Sequence, residues 1–321
     1  MLNRQTFTKV VLLALLGVAG AASAQYPEKP VRFVIPFPPG GSFDGPARLL
    51  AARLAVNSGQ PFVVETRAGA GGAVGAAEVS RATPDGYTVL LSNGAMPVSS
   101  TLTKKPLFDS VNDFTHVATF GVLPFVVLVN PKLPFNTLQE FVDASRKEPR
   151  KYTFASAGIG SAAHLAGEQV KQAFDIDWVH VPYRGTGPAI NDLLAGQVNV
   201  AVVGLSSAIS HVQAGTLKAL AVTSTKRLSA LPNVPAVAEL KPDFCIETWI
   251  GVAMPPNAPP AVVARMAALV EQAMQEKELR DRLSALTVEP VFEGPAAAKA
   301  RMAADVAAFS ALGKRTNITL D

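Results

Sequence analysis

The residues best placed to do chemistry are glycines and hydroxyls gathered in five short loops. These are Pro38-Pro39-Gly40-Gly41-Ser42, Ser92-Asn93-Gly94, Ser156-Ala157-Gly158-Ile159-Gly160-Ser161, Gly185-Thr186-Gly187 and Gly204-Leu205-Ser206-Ser207. Glycine lets the main chain approach a ligand closely and take positive φ. Where such a loop opens a helix, the first N–H groups have no partner within the helix and favour an anion. One such loop reads equally well as a turn, but five at equivalent positions point to a binding site. Other chemistries fail on spacing. Gly158-x-Gly160-x-x-Ala163 lacks the acidic residue about twenty positions on that a dinucleotide fingerprint needs, because Asp175 and Asp177 come too early. Neither a G-x-S-x-G elbow nor a phosphate-binding Gly-Lys-Ser/Thr loop occurs. His116, His164, His180 and His211 are scattered. His164 and Glu168 stand four apart on one helix, but two ligands do not make a metal site. No catalytic set, metal or cofactor is implied, and Cys245 reads as a small buried hydrophobe.

These loops need strands before them and helices after them, and the sequence supplies both. Val31 to Ile35, Phe62 to Glu65 and Tyr87 to Leu91 read as strands, and Ala47 to Val56 and Gly71 to Arg81 as helices. The alternation restarts with strand Phe125 to Val129. Thr137-Leu-Gln-Glu140 is a capping box opening a helix to about Lys147. Strands follow at Tyr152 to Ala155, Trp178 to Val181, Val198 to Val203 and Leu217 to Val222. Helices are expected at Ser161 to Phe174, Ala189 to Ala195 and Ser207 to Ala214. Strand–loop–helix repetition implies parallel strands with helical crossovers, and in such sheets ligand loops gather at the carboxyl ends of the strands. The stretch Ile246 to Met254 and the helices beginning near Ala261 and Ala296 have too little strand for a third domain, so they are expected to return to the first lobe. The expected division is residues 25–123 and 224–321 in one α/β lobe and 124–223 in the other, each with a mainly parallel sheet and helices on both faces.

The 321 residues are 49% hydrophobic and 17% charged, with 24 glycines, 25 prolines and one cysteine. That excludes a disordered chain and an intrachain disulfide framework. Arg4 and Lys9 precede an apolar stretch from Val10 to Gly20, and Ala22-Ser23-Ala24 closes it. This reads as an export signal cleaved after Ala24, too short to span a bilayer. Removing Arg4 and Lys9 leaves 27 basic against 25 acidic residues. The basic residues are thinly spread, with none of the clustering that nucleic acid requires.

Several blocks together resemble the substrate-binding proteins of tripartite tricarboxylate transporters, the Bug family. They are Tyr26-Pro27…Pro30-Val-Arg-Phe-Val-Ile-Pro-Phe-Pro-Pro-Gly-Gly…Asp44, Glu65-Thr-Arg-Ala-Gly-Ala-Gly-Gly72 and Ala82-Thr-Pro-Asp-Gly-Tyr-Thr-Val-Leu90. Ser156 to Leu165, His180-Val-Pro-Tyr-Arg-Gly-Thr186, Asn191 to Gln197, Leu231 to Glu239 and Trp249-Ile-Gly-Val continue the likeness, in order, along the whole chain. The resemblance departs at Ala236 and at Ser42-Phe43. It implies a monomeric periplasmic binding protein of two lobes that close on a small organic carboxylate and deliver it to membrane transporter subunits. Carried over by position, Pro39, Gly40, Gly41, Ser42, Phe43 and Asp44 would face Ser156, Gly158, Gly160, Ser161 and His164 across a carboxylate. Thr186, Ser206, Ser207 and Asn93 would read its far end, and Phe43 either covers an apolar ligand body or packs under its own helix. Two alternatives stay open: a sensory partner of a membrane signalling protein, and a periplasmic hydrolase using Ser161 and His164.

Overall fold

In the computed structural model, which describes residues 26–40, 42–159, 161–228, 230–242 and 244–316, the strand–loop–helix alternation forms where the sequence places it. The leader expected over residues 1–24 lies outside the described residues. Val31–Ile35 (β1), Phe62–Thr66 (β2) and Thr88–Asn93 (β3) pair in parallel in the order β2-β1-β3. Helices Asp44–Ser58 (α1) and Ala73–Ser80 (α2) are their crossovers, and Met96–Thr101 (α3) follows β3.

Thr115–Val129 (β4) is far longer than the five residues expected of it, and all but its first residue are buried. Its first two-thirds pair antiparallel with Glu247–Met254 (β9) and Glu289–Glu293 (β10). Its last five residues take Val200–Gly204 (β7), and its last four Lys218–Val222 (β8), also antiparallel. The partner changes between Pro124, opposite Glu247, and Phe125, opposite Gly204. One strand therefore runs through both lobes.

After Leu138–Lys147 (α4), whose capping box at Thr137 and Glu140 forms as expected, Thr153–Ser156 (β5) pairs in parallel with Val179–Pro182 (β6) and with β7. Ala162–Phe174 (α5) and Thr186–Ala195 (α6) are the crossovers. Ile209–Gln213 (α7) precedes β8, and Pro260–Gln275 (α8), Lys277–Ala285 (α9) and Pro295–Thr316 (α10) follow β9. Parallel pairing holds within β2-β1-β3 and β6-β5-β7; the strands nearest the junction run antiparallel. Among the described residues no helix is long and apolar enough to cross a membrane.

Each sheet carries apolar packing on two faces. In the first lobe one cluster sets Phe33, Leu50 and Leu54 against Met266, Leu269 and Val270, and another sets Val34 and Leu90 against Met302. In the second, Phe141, Phe154, Val170 and Trp178 form one cluster, and Leu193, Val203 and Leu205 belong to the other. The return to the first lobe comes later than residue 224. Val222 bridges Ala236 and its N–H donates to the carbonyl of Pro235. That attachment carries Leu231, Val234, Ala236 and Val237 into the second lobe's packing, with Phe244 and Ile246 against it. The chain joins the first sheet only at Glu247. Cys245, expected to be a small buried hydrophobe, is instead exposed, because Phe244 and Ile246 both turn inward and the alternation of extended chain points the residue between them outward.

Candidate functional site

The loops expected to bind lie at the carboxyl ends of β1, β3, β5, β6 and β7. Pro39 and Gly40 are exposed. Gly40 has φ of +78°, and its N–H donates to Oδ2 of Asp44 at 3.1 Å. Asp44 also accepts from Nε of Arg48 at 2.9 Å. Its buried carboxylate therefore ties the loop to α1 and offers no donor to an anion. Phe43, expected either to cover a ligand body or to pack under its own helix, rests its ring on Phe37 of the loop before α1, centroids 4.6 Å apart, and both lie on the first lobe's core. Gly41 and Gly160 lie outside the described residues.

Ser42 is one point at which the lobes meet. Its Oγ is 2.9 Å from Oγ of Ser207, on the loop after β7, and a Cβ on Gly204 would come within 3.4 Å of it. The loop after β1 and the loop after β7 thus touch through hydroxyls from opposite lobes. Oγ of neighbouring Ser206 is buried with no partner among the described residues. Asn93 is almost wholly buried; its Oδ1 accepts the N–H of Ala95 at 2.8 Å, which shapes the turn from β3 into α3. Next to it, Oγ1 of Thr248 is buried without a partner among the described residues, beside the space a side chain on Gly94 would occupy. No glycine loop marks Thr248 in the sequence, because it sits on the strand β9.

In the second lobe, Ser161 caps α5, its Oγ accepting the main-chain N–H of His164 at 3.1 Å. Ser156 is fully buried, so its hydroxyl does not face a ligand. Ser156 Oγ accepts the N–H of Gly158 at 3.2 Å and lies 2.8 Å from Nε2 of His180. Main-chain bonds from Tyr183 N–H to Ser156 O and from Gly185 N–H to Ala157 O, both 3.1 Å, tie this loop to the one that opens α6 at Thr186. Tyr183 is itself fixed by a 2.6 Å bond to Asp192.

His164 is also buried. Its ring stacks on His180 at 3.9 Å, His180 on Phe154 at 4.7 Å, and Phe154 on Trp178 at 4.7 Å. Gly167 makes the column possible, since any side chain there would collide with the Phe154 ring. Burial holds His164 down to about 4 and, with the neighbouring His164 charge, His180 to about 3. Both are neutral at pH 7. Glu168, 3.9 Å from Nε2 of His164, is pushed up by its own burial.

This pattern has a consequence for stability. Unfolded histidines take up protons near pH 6.5, whereas the folded rings resist until about 4 and 3, so the unfolded chain holds more protons between those limits. Stability should fall as pH drops from 6.5 towards 4, with Glu168 acting in the opposite sense. Urea unfolding from pH 7 to 4 should show a shallower pH slope for His180→Phe than for the parent; equal slopes would contradict it.

The Ser161–His164 pair is no nucleophile and base, because the contact is to the main chain and the ring is committed to the stack. Ser156 and His180 are at nucleophile–base distance, yet Ser156 is fully buried, and among the described residues no carboxylate is bonded to the second nitrogen of His180 to orient the ring. Nor, among the described residues, do three His, Cys, Asp or Glu side chains converge as metal ligands.

The family described as tripartite tricarboxylate transporter family receptor matches residues 47–315. The chain belongs to that family. Protein BugT of Bordetella pertussis is 33% identical over 316 residues, 97% of this chain and 96% of that protein. The periplasmic binding protein BugD is 32% identical with a TM-score of 0.81, covering 92% of this chain and 99% of that one. An R. palustris protein solved with adipate is 28% identical with a TM-score of 0.83, at 92% and 99% coverage. Family members are solute receptors, and the two-lobe fold of this chain is theirs.

Proposed function

We propose that this receptor works in the periplasm, captures a small organic carboxylate between its lobes and delivers it to a tripartite membrane transporter. The observation that carries the reading is the meeting of two glycine–serine loops from opposite lobes, Ser42 against Ser207. It places the start of α1 and the loop after β7 at one junction. Helix-start N–H groups and hydroxyls there donate hydrogen bonds and reward negative charge. The adipate bound by a relative supports the class of ligand. Donors at the junction are neutral, which fits a ligand of modest charge.

A thermal-shift panel of mono-, di-, tri- and aromatic carboxylates tests the reading. A ligand at a hundred times its Kd should stabilise by about 2.7 kcal/mol and be recovered chemically unchanged. Calorimetry with adipate and adipamide adds a charge test: the carboxylate should bind and the amide should bind far more weakly. A panel without a single stabilising carboxylate, or equal affinity for the pair, would overturn the proposal.

A further inference from the structure

We infer that His180 is a positioning residue for the ligand loop, holding Ser156 so that the turn at Gly158 keeps its shape; the consequence for binding rests on the carboxylate reading above. Ser156 has no exposed surface, so it serves the site through what it holds. A hydroxyl has one proton and two lone pairs. Those of Ser156 are divided among Gly158 N–H, Gly158 O and His180 Nε2, at 3.2, 3.2 and 2.8 Å. The bond to His180 is the shortest of the three and the only one of them that comes from outside the loop. Gly158 stands at φ of +133°, a conformation open to glycine and strained for a residue with a side chain.

The position of His180 needs explaining in turn, because among the described residues β6 is the last strand of the sheet, with only β5 beside it. The ring column fixes it. His180 lies between Phe154 of β5 and His164 of α5, with near-parallel planes at 30° and 15°. Phe154 and Trp178 anchor the far end in the second lobe's core. Packing deep in the lobe is thereby transmitted to a single nitrogen behind the ligand loop.

The experiment uses the mature chain with His180→Phe, which keeps a stackable ring and removes the nitrogen, Ser156→Ala, and the double variant. Amide exchange of Gly158, read by NMR without ligand, should be roughly tenfold faster in each single variant, the equivalent of one hydrogen bond. The double variant should be no faster than Ser156→Ala, because His180 acts on the turn through the Ser156 hydroxyl. Adipate affinity should follow the same pattern while the melting temperature of ligand-free protein stays within a few degrees. Unchanged Gly158 exchange in His180→Phe, or additive effects in the double variant, overturns the assignment. Failure of the parent protein to bind adipate or any other carboxylate would count against the functional reading alone, since the exchange measurement still decides the role of His180.

Discussion

Leu165→Ala is expected to open the protein without unfolding it. Leu165 belongs to α5 of the second lobe, yet it packs with Val98 and Leu102 of the first lobe and against Phe309 of α10. All three buried members of this cluster are at most 3% exposed. Truncating a buried leucine costs about 2–5 kcal/mol, and here the loss falls on closure, because the contact exists only when the lobes meet. By population-shift arithmetic that corresponds to roughly thirty-fold or more in the ratio of closed to open protein. Small-angle scattering should give a larger radius of gyration for ligand-free Leu165→Ala, and carboxylate affinity should fall with it. Val170→Ala on the same helix is the control: Val170 packs inside the second lobe's core, so its loss should lower the melting temperature and leave the radius unchanged. Identical radii and affinities for the Leu165 variant and the parent protein would show that this cluster does not govern closure.

The second large effect is expected at Gly158. Gly158→Val places a β-branched side chain at φ of +133°, with its Cβ 3.0 Å from the carbonyl oxygen of Tyr183. The conformation alone costs about 1–3 kcal/mol for a residue with a side chain. Relief requires the turn to move, which breaks the Ser156 bond and the 3.1 Å bond from Ser161 N–H to Gly158 O. Phe154 and Val170 remain packed, so the lobe should fold with modest loss of stability while calorimetry detects no carboxylate binding. Valine at Gly40, also at positive φ but with nothing within 4 Å of its Cβ, separates backbone strain from collision. Normal binding by Gly158→Val would reduce the loop to an ordinary turn.

Much of this architecture is legible in the residues because short hydrophobic runs end at glycine or proline. Val31 to Ile35 matches β1 residue for residue, and Thr137 and Glu140 announce α4. The first two-thirds of β4 escaped because Thr115 to Pro124 mixes His116, Gly121 and Pro124 with apolar residues, and a strand buried on both faces has no alternation to read. Glu289–Glu293 was likewise missed: five residues with two glutamates and a proline form a strand only because β4 lends them a partner. In the candidate site, glycine spacing marks the loops but does not tell which of their hydroxyls turn inward. Ser156 and Ser207 look alike in the sequence, yet one is turned inward by His180, 24 residues away, and the other meets the opposite lobe. Leu165 reads as core in any helical projection, and only the tertiary arrangement makes it a contact between lobes.

Because β4 serves both sheets, the order in which the molecule can assemble is constrained. β3 and β9 are neighbours in the first sheet, but the chain between them contains the entire second lobe. Residues 125–246 hold all the strands of the second sheet and can complete it from contiguous chain. The first sheet waits for Glu247 and the strand it begins. Joining β3 to β9 directly would close a very long loop at a considerable entropic cost. Once the second lobe has formed, Thr223 and Ile246 are already fastened beside Phe125, and Glu247 is delivered opposite Pro124. Nucleation of the late strand is then local, although its partners are distant in sequence. Until that moment β3 has one unpaired edge and Thr115 to Pro124 of β4 waits for both its partners, and such edges invite pairing with other chains.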